Sequence, residues 1–508
     1  MTGRIDFEVA LGGSPRPRPS RRGDGVPARI LVLGDFSGRG GRDPGDGTDL
    51  ADRRTRLVDL DTYDAVLGAM RPRAAVVQSD GHDPVTMEFR NLDDFHPDQI
   101  FQRLYAFQAL RTSRQRLKDP ATFGEEAASL LRAGSGPGVD ASPETATGKS
   151  KSNEQGELLE RLLGSAARAT SRPSAAGVTD ALVASIVAPH IVRGPDPSVA
   201  VYVSAVDAAA TALMRRVLHD PGVQALEARW RGVRRLVETL ELGDLLELRI
   251  FDVGKDALIA DLNAAQGRLE ATGLYRAIAK RGSDAGGEVD TTLLVGDYTF
   301  GATGDDLELL AHLGNLAQRL GAPLVAGGDA SLLGTTRLDE HAEPREWVMM
   351  DAPVAARWSM LRRSAIAPWI GLAMPRVLGR LPYGAKTDAI DGFAFEELAG
   401  TNDHDGYLWG NSALACAEVI GRNLIADSND AETPEIALDV PDLPAHVRDV
   451  DGERELKPCA EHLLSLRVGE EILKRGLMPV LSFRDRNAAR FLRLQSIAEP
   501  PAALAAIG

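Results

Sequence analysis

Apolar and polar positions alternate from the first residues. Ile5, Phe7 and Val9 are separated by Asp6 and Glu8, which predicts a half-buried opening strand. After a loop rich in proline and arginine, residues 29–36 read RILVLGDF. So continuous an apolar run predicts a strand covered on both faces. Further strands are predicted at 74–79 and 85–90, then a helix from 98 to 117 with Ile100, Leu104, Phe107 and Leu110 on one side, ended by Pro120. Asp220 followed by Pro221 supplies a capping oxygen and a proline at the first helical position. Val223, Leu226, Trp230, Val233, Leu236, Val237 and Leu240 then recur at helical spacing. Strand 245–253, helix 255–264, strand 291–298, helix 305–320 and strand 323–327 alternate as βαβ units. The fold class expected is α/β: a mixed sheet with substantial parallel character and helices packed on it, preceded by an α+β portion.

Residues 353–412 carry the densest pattern. Trp369, Ile370, Leu372 and Met374 form short apolar runs that Pro368, Pro375 and Pro382 keep from joining into one helix, so a buried strand between two helical pieces is predicted. Tyr383, Tyr407 and Trp409 concentrate aromatic mass in a chain only 5% aromatic, as expected of a core or a partner surface. An apolar helix follows over 412–420, then an acidic, loop-rich stretch at 424–460, a helix ending at Arg475 with Gly476 as its C′ residue, and a strand at 478–483. The alanine- and proline-rich last residues are expected to fray.

Composition changes the picture at two places. Residues 133–156 are small, polar and proline-bearing, and read as a linker. Beyond them, residues 157–167 (ELLERLLGSAA) place Leu158, Leu159, Leu162 and Leu163 on one side of a helix too short to be stable alone. Such a segment is either a satellite helix docked on the next domain or a peptide that a partner takes into a groove.

A chain of 508 residues exceeds one hydrophobic core and suggests about three domains. Its formal net charge of −15 argues against a nucleic-acid binder. The opening MTGRIDFEVA has no apolar signal core, and no stretch approaches the roughly 18 apolar residues of a membrane span, so a cytoplasmic protein with no membrane insertion is expected. Cys416 and Cys459 stand alone, without metal or disulfide spacing, as free thiols in a reducing compartment.

Candidate chemistry adds little. The glycine-rich exit from the second strand, residues 34–41, lacks the spacing of a phosphate loop, and the Gly148-Lys149-Ser150 triplet has Pro143 where the first glycine belongs. The nine histidines are scattered, Asp403-His404-Asp405 lies in a turn-like stretch, and no Gly-x-Ser-x-Gly turn occurs. No catalytic residue, cofactor or metal is therefore expected. Arg229, Arg231, Arg234 and Arg235 oppose the apolar stripe of their helix; they grip acidic groups of a partner, or form a solvated face with local pairs to Glu227 and Glu238.

The blocks LEARWRGVRRLV (226–237), TGLY (272–275), VGDYTFG (295–301), RWSMLRRS (357–364), GLAMPRVLGRLPYG (371–384), FAFEE (393–397) and YLWGNSA (407–413) resemble, in order, the large subunit (TssC, or VipB) of the type VI secretion contractile sheath. The N-terminal part is similar to the small subunit (TssB, or VipA) through IDFEV, ILVLGDFSG, RLVDLD, VTMEF, NLDDFHPDQI and RQRLKDP. The chain thus resembles both subunits fused. The division that follows is 1–132 small-subunit-like, 133–156 linker, 157–177 leucine-rich helix, 178–498 large-subunit-like and 499–508 tail.

The resemblance implies a structural protomer, not an enzyme. Protomers of the family stack helically with themselves around an Hcp inner tube, meet baseplate components, and contract to propel the tube. Neighbouring protomers exchange strands, for which Ile5, Phe7 and Val9 are the candidate segment. A ClpV-type AAA+ unfoldase takes a leucine-rich N-terminal helix of the large subunit, matched here by Leu158, Leu159, Leu162 and Leu163. Arg229, Trp230, Arg231, Trp358, Arg376, Tyr383 and Trp409 fall in the matching blocks as core or interface positions. Family large subunits continue beyond the equivalent of Ser496 into a C-terminal region that this sequence lacks. The alternatives are a non-contractile sheath-like adaptor that binds tube, baseplate or unfoldase without polymerising, and a Rossmann-like nucleotide-binding enzyme resting only on the βαβ alternation and on residues 34–41.

Overall fold

The computed structural model describes residues 27–39, 49–79, 83–134, 183, 186–187, 199–284, 291–338, 343–348, 350–400, 403–428, 437–450 and 452–507. They pack as two units, one from Met1–Pro72, Ala225–Leu381 and Leu408–Gly508, the other from Arg73–Gln224 and Pro382–Tyr407.

The first unit is built on a nine-stranded sheet. In chain order its strands are β1 (Ala28–Gly34), β2 (Arg56–Leu57), β3 (Leu246–Asp252), β4 (Leu293–Phe300), β5 (Leu324–Gly328), β6 (Ile370–Met374), β7 (Asp439–Val440), β8 (Met478–Ser482) and β9 (Ala489–Phe491). They lie side by side as β7-β9-β8-β6-β5-β4-β1-β3-β2. The strands from β8 to β3 run parallel, and the short strands β9, β7 and β2 close the two sides in antiparallel pairing. Edges this short offer little backbone to a stray strand.

β1 sits inside this sheet. It pairs with β3 from Ala28↔Leu246 to Gly34↔Asp252, and with β4 from Ile30↔Leu293 to Leu33↔Gly296. Successive side chains of a strand point to opposite faces, so a strand covered on both needs apolar residues at every position. Ile30, Leu31, Val32 and Leu33 meet that need, each no more than 1% exposed. Leu31 and Leu33 belong to a core shared with helices Lys255–Ala264, Gly273–Asp284, Gly304–Leu320, Ala352–Arg362 and Leu466–Lys474. Ile30 faces the other layer, where helix Ser412–Ser428 approaches closely: a Cβ on Gly421 would lie 3.2 Å from Ile30 Cδ1.

The second unit holds the antiparallel hairpin of Arg73–Val76 with Val85–Glu88, and helices Pro97–Arg103, Tyr105–Lys118, Phe123–Gly134 and Val199–Leu218. Arg114 donates to both carboxylate oxygens of Asp207 at 2.6 and 3.1 Å, and Phe123 meets Tyr202 edge to face, joining the last three helices.

The predicted βαβ alternation is present, and Ile370–Met374 is a wholly buried strand between helices Ala352–Arg362 and Ser412–Ser428. Several expectations differ from the structure. Residues 1–132, expected as one domain, are divided between the two units, because β1 takes its hydrogen bonds from β3 and β4. The helix expected over 98–117 breaks at Leu104, whose extended backbone (ψ 123) rotates the second half so that Phe107 meets Phe101 at 5.3 Å. The stretch expected to be loop-rich contains a hairpin, His446–Val450 with Glu453–Lys457, turned through Gly452 at φ 85°. The last residues, expected to fray, are held: Ala505 donates to the Pro368 carbonyl at 2.8 Å and Leu504 is buried. The linker at 133–156 falls, apart from its first two residues, outside the described residues, as do Ile5, Phe7, Val9, Leu158, Leu159, Leu162 and Leu163.

Because β3 and β4 share β1, a fragment of residues 199–508 is expected to be insoluble or to melt without a cooperative transition. Co-expression with residues 1–134 is expected to restore a sharp thermal transition in circular dichroism. A fragment that unfolds cooperatively by itself would contradict the role given to β1.

Candidate functional site: a buried joint around one helix

The joint between N-terminal and C-terminal segments is organised by residues 225–239 of helix Pro221–Thr239. Trp230 is fully buried, edge to face with Phe36 at 5.3 Å and with Tyr63 at 5.8 Å. Its indole N–H donates to the Phe36 carbonyl at 3.0 Å, and the Tyr63 hydroxyl donates to the Trp230 carbonyl at 2.7 Å. Burial pushes the Tyr63 phenol well above its ordinary value, so it stays a donor. Phe36 and Tyr63 are separated from Trp230 by more than 160 residues of chain, yet the three rings form one cluster.

The arginines beside Trp230 turn inward. Arg229 donates to Asp297 at 2.5 Å and to the Asp35 carbonyl at 2.7 Å, linking the exit of β1 to β4. Asp297 lies where the register of β4 against β5 shifts, between Gly296 and Thr299. Such bulges re-aim side chains. Asn411 occupies the gap, donating to the Tyr298 carbonyl at 3.1 Å while its own oxygen accepts the Ala413 N–H at the start of helix Ser412–Ser428. Two blocks singled out in the sequence, VGDYTFG and YLWGNSA, therefore meet here.

Glu227 is the most enclosed charge of the joint. Its carboxylate, 0% exposed, accepts from Arg380 at 2.7 and 3.3 Å and from Arg231 at 2.8 Å. Burial alone pushes this carboxyl up, but Arg380 and Arg231 together outweigh it and hold it below its ordinary value. One helical turn on, Arg235 grips Glu418 at 2.7 and 3.3 Å and donates to the Pro441 carbonyl at 2.6 Å. Arg234 makes the local pair with Glu238. Of the two readings of this arginine face, local pairing describes Arg231 and Arg234, whereas Arg229 and Arg235 bind carboxylates distant in sequence.

The other residues singled out are not gathered here. Trp358 is buried in helix Ala352–Arg362, with the Arg362 guanidinium 6.0 Å from its ring. Trp409 is buried in a two-residue strand paired with Leu378, beneath the Lys457 ammonium at 5.6 Å. Arg376, half exposed, makes a bidentate pair with Glu461 at 2.6 and 3.0 Å. Tyr383, in the second unit, is buried against His96, and its N–H donates to Glu397 at 2.7 Å. The residues missed were Asp297, Arg380 and Glu418, and Glu227 was expected only as a local partner of the arginines, not as a buried charge. Glu227 did carry a signal, since it sits four residues after Val223 and three before Trp230, on the apolar stripe.

The loop after β1 is self-occupied. Ser37 gives both its N–H and its hydroxyl to Asp252, at 3.1 and 2.7 Å, and the Arg39 N–H goes to Asp35 at 2.7 Å. Two carboxylates stand where a phosphate would need to bind. Asp403 accepts from Ala399 and Gly406 N–H groups, as a turn residue does.

Residues 200–498 match the family model described as VipB: EvpB/VC_A0108, tail sheath N-terminal domain. The chain belongs to this VipB tail sheath family. Residues 5–128 match a second model, described as Type VI secretion system, VipA, VC_A0107 or Hcp2, so VipA-type and VipB-type segments lie in one chain. Among similar proteins, the type VI secretion system sheath protein TssC1 of Pseudomonas aeruginosa is 33% identical over 303 residues, 59% of this chain and 61% of TssC1. The sheath protein TssB1 of the same organism is 28% identical over 125 residues, 24% of this chain and 67% of TssB1. The chain thus spans about three fifths of TssC1. The joint is where the two segments meet: Phe36 and Tyr63 are VipA-type, and Arg229 and Trp230 are VipB-type.

Removing the carboxylate at the centre of the joint leaves Arg380, 7% exposed, without its countercharge. E227Q is expected to cost about 3–5 kcal/mol in urea unfolding, and the paired E227L/R380M replacement markedly less. Since Glu227 titrates below 4.5 in the folded chain, its contribution is complete above that pH and is lost as pH falls through the folded value. The stability gap between wild type and E227Q should therefore narrow on acidification below 4.5. Burial also pushes the Cys416 thiol up to about 12 and the Cys459 thiol up to about 11, so both are expected to react with a maleimide only after denaturant is added.

Proposed function

We propose that the chain is a protomer of a type VI secretion sheath, a structural part that assembles with copies of itself around an Hcp inner tube and drives it by contraction. The observation that carries this reading is β1. A VipA-type strand at the centre of a VipB-type sheet joins the two segments through one sheet, and a sheath would stack such a unit. The self-paired charges of the joint support a load-transmitting role over a chemical one. No described helix is long and apolar enough to cross a membrane, in keeping with work in the cytoplasm.

Within this proposal the opening strand with Ile5, Phe7 and Val9 pairs with a neighbouring protomer. The leucines 158, 159, 162 and 163, which fall between the two family matches, form the helix that a ClpV-type unfoldase takes. Baseplate components hold one end of the array.

Negative-stain microscopy of the purified full chain is expected to show tubes, rings or cogwheel-like arcs. A strictly monomeric species at high concentration, with the proteins encoded beside it present, would overturn the proposal. Capture of tube protein without filaments would select the adaptor reading instead.

A further inference from the structure

The stretch from the turn between β8 and β9 to just past β9 departs from the charge of the rest of the chain. In a protein of net charge −15, residues 484–493 contain Arg484, Arg486, Arg490 and Arg493 against a single acid, Asp485. All four arginines are exposed. Arg490 pairs with Asp439 at 3.0 Å, and the Arg486 guanidinium lies on the Phe483 ring at 3.6 Å. Arg484 and Arg493 make no ion pair among the described residues.

The turn is also held in shape. Phe483 N–H donates to the Ala488 carbonyl at 3.0 Å, Ala488 N–H to the Arg486 carbonyl at 2.9 Å, and Leu443 N–H to the Asn487 carbonyl at 2.9 Å. Arg490 and Arg486 are used by the fold, through Asp439 and the Phe483 ring, whereas Arg484 and Arg493 carry exposed charge that no ion pair of the described residues takes up. A backbone held in this way need not be ordered again when its arginines present forked donors to carboxylates.

We infer that the Arg484–Arg493 stretch is an interaction surface that receives a carboxylate-bearing face of a second copy of this chain. Charge complementarity selects the occupant: a chain of net charge −15 presents an excess of carboxylates to every neighbour, and this stretch is a concentrated exception. The inference rests on the proposed self-assembly and locates one of its contacts.

The test compares the wild-type full chain with R484E/R486E/R493E by sedimentation over a concentration series, at about 0.05 M and about 0.5 M salt, where screening differs severalfold. Wild type is expected to assemble more weakly at high salt. The reversed chain is expected to need about tenfold more protein to assemble at low salt, with an unchanged melting curve. Should the reversed chain unfold, the milder R484Q/R486Q/R493Q variant is expected to shift assembly in the same direction. Failure of wild type to assemble would refute the proposed function. Assembly of wild type with no response to the reversal, or loss of nucleic-acid binding as the main effect, would refute the inference alone.

Discussion

The first unit depends on the hydrogen bonding of one strand. β1 satisfies backbone groups of β3 on one side and β4 on the other, and both of its faces are covered by apolar layers. Backbone N–H and C=O groups buried without partners cost free energy comparable to a lost hydrogen bond each. A VipB-type segment deprived of this strand would carry two such rows through the middle of its sheet. The VipA-type strand and the VipB-type strands beside it therefore form one folding unit in the physical sense, and the peptide connection between the segments adds proximity to a junction the sheet already makes.

The helix bearing Trp230 determines how that junction is aligned. Its apolar side is closed by aromatic rings and by close approach to helix Ser412–Ser428, where a Cβ on Gly232 would fall 2.3 Å from Leu414 Cδ1. Its charged side is bound to Asp297 and Glu418 through Arg229 and Arg235, and to Arg380 through its own Glu227. Buried ion pairs give little net stability against apolar replacements, because desolvation offsets their attraction. They are intolerant of being mispaired, however, so they exclude sliding of the helix along the sheet.

Nothing at the joint resembles a reaction centre. Its carboxylates are matched by guanidinium groups, its hydroxyl is committed to a carbonyl, and the loop that could have cradled an anion is closed on its own aspartates. The βαβ alternation is a fold-level likeness to nucleotide-binding proteins and does not by itself supply a site.

The sequence by itself determined the local elements and the family. The period of apolar residues located β1, the helix around Trp230, Gly304–Leu320 and the buried strand Ile370–Met374, because those patterns follow from side-chain direction within a few residues. The Asp451-Gly452 pair also announced a hairpin that went unread, and Gly452 does take the left-handed backbone such a turn requires. Only the tertiary structure decided which strands are neighbours. β1 and β3 are joined across more than 200 residues, and an apolar strand carries no mark of the partners on either side of it. The same holds for Glu227 and Arg380, whose pairing across 153 residues exists only once the sheet has brought their elements together.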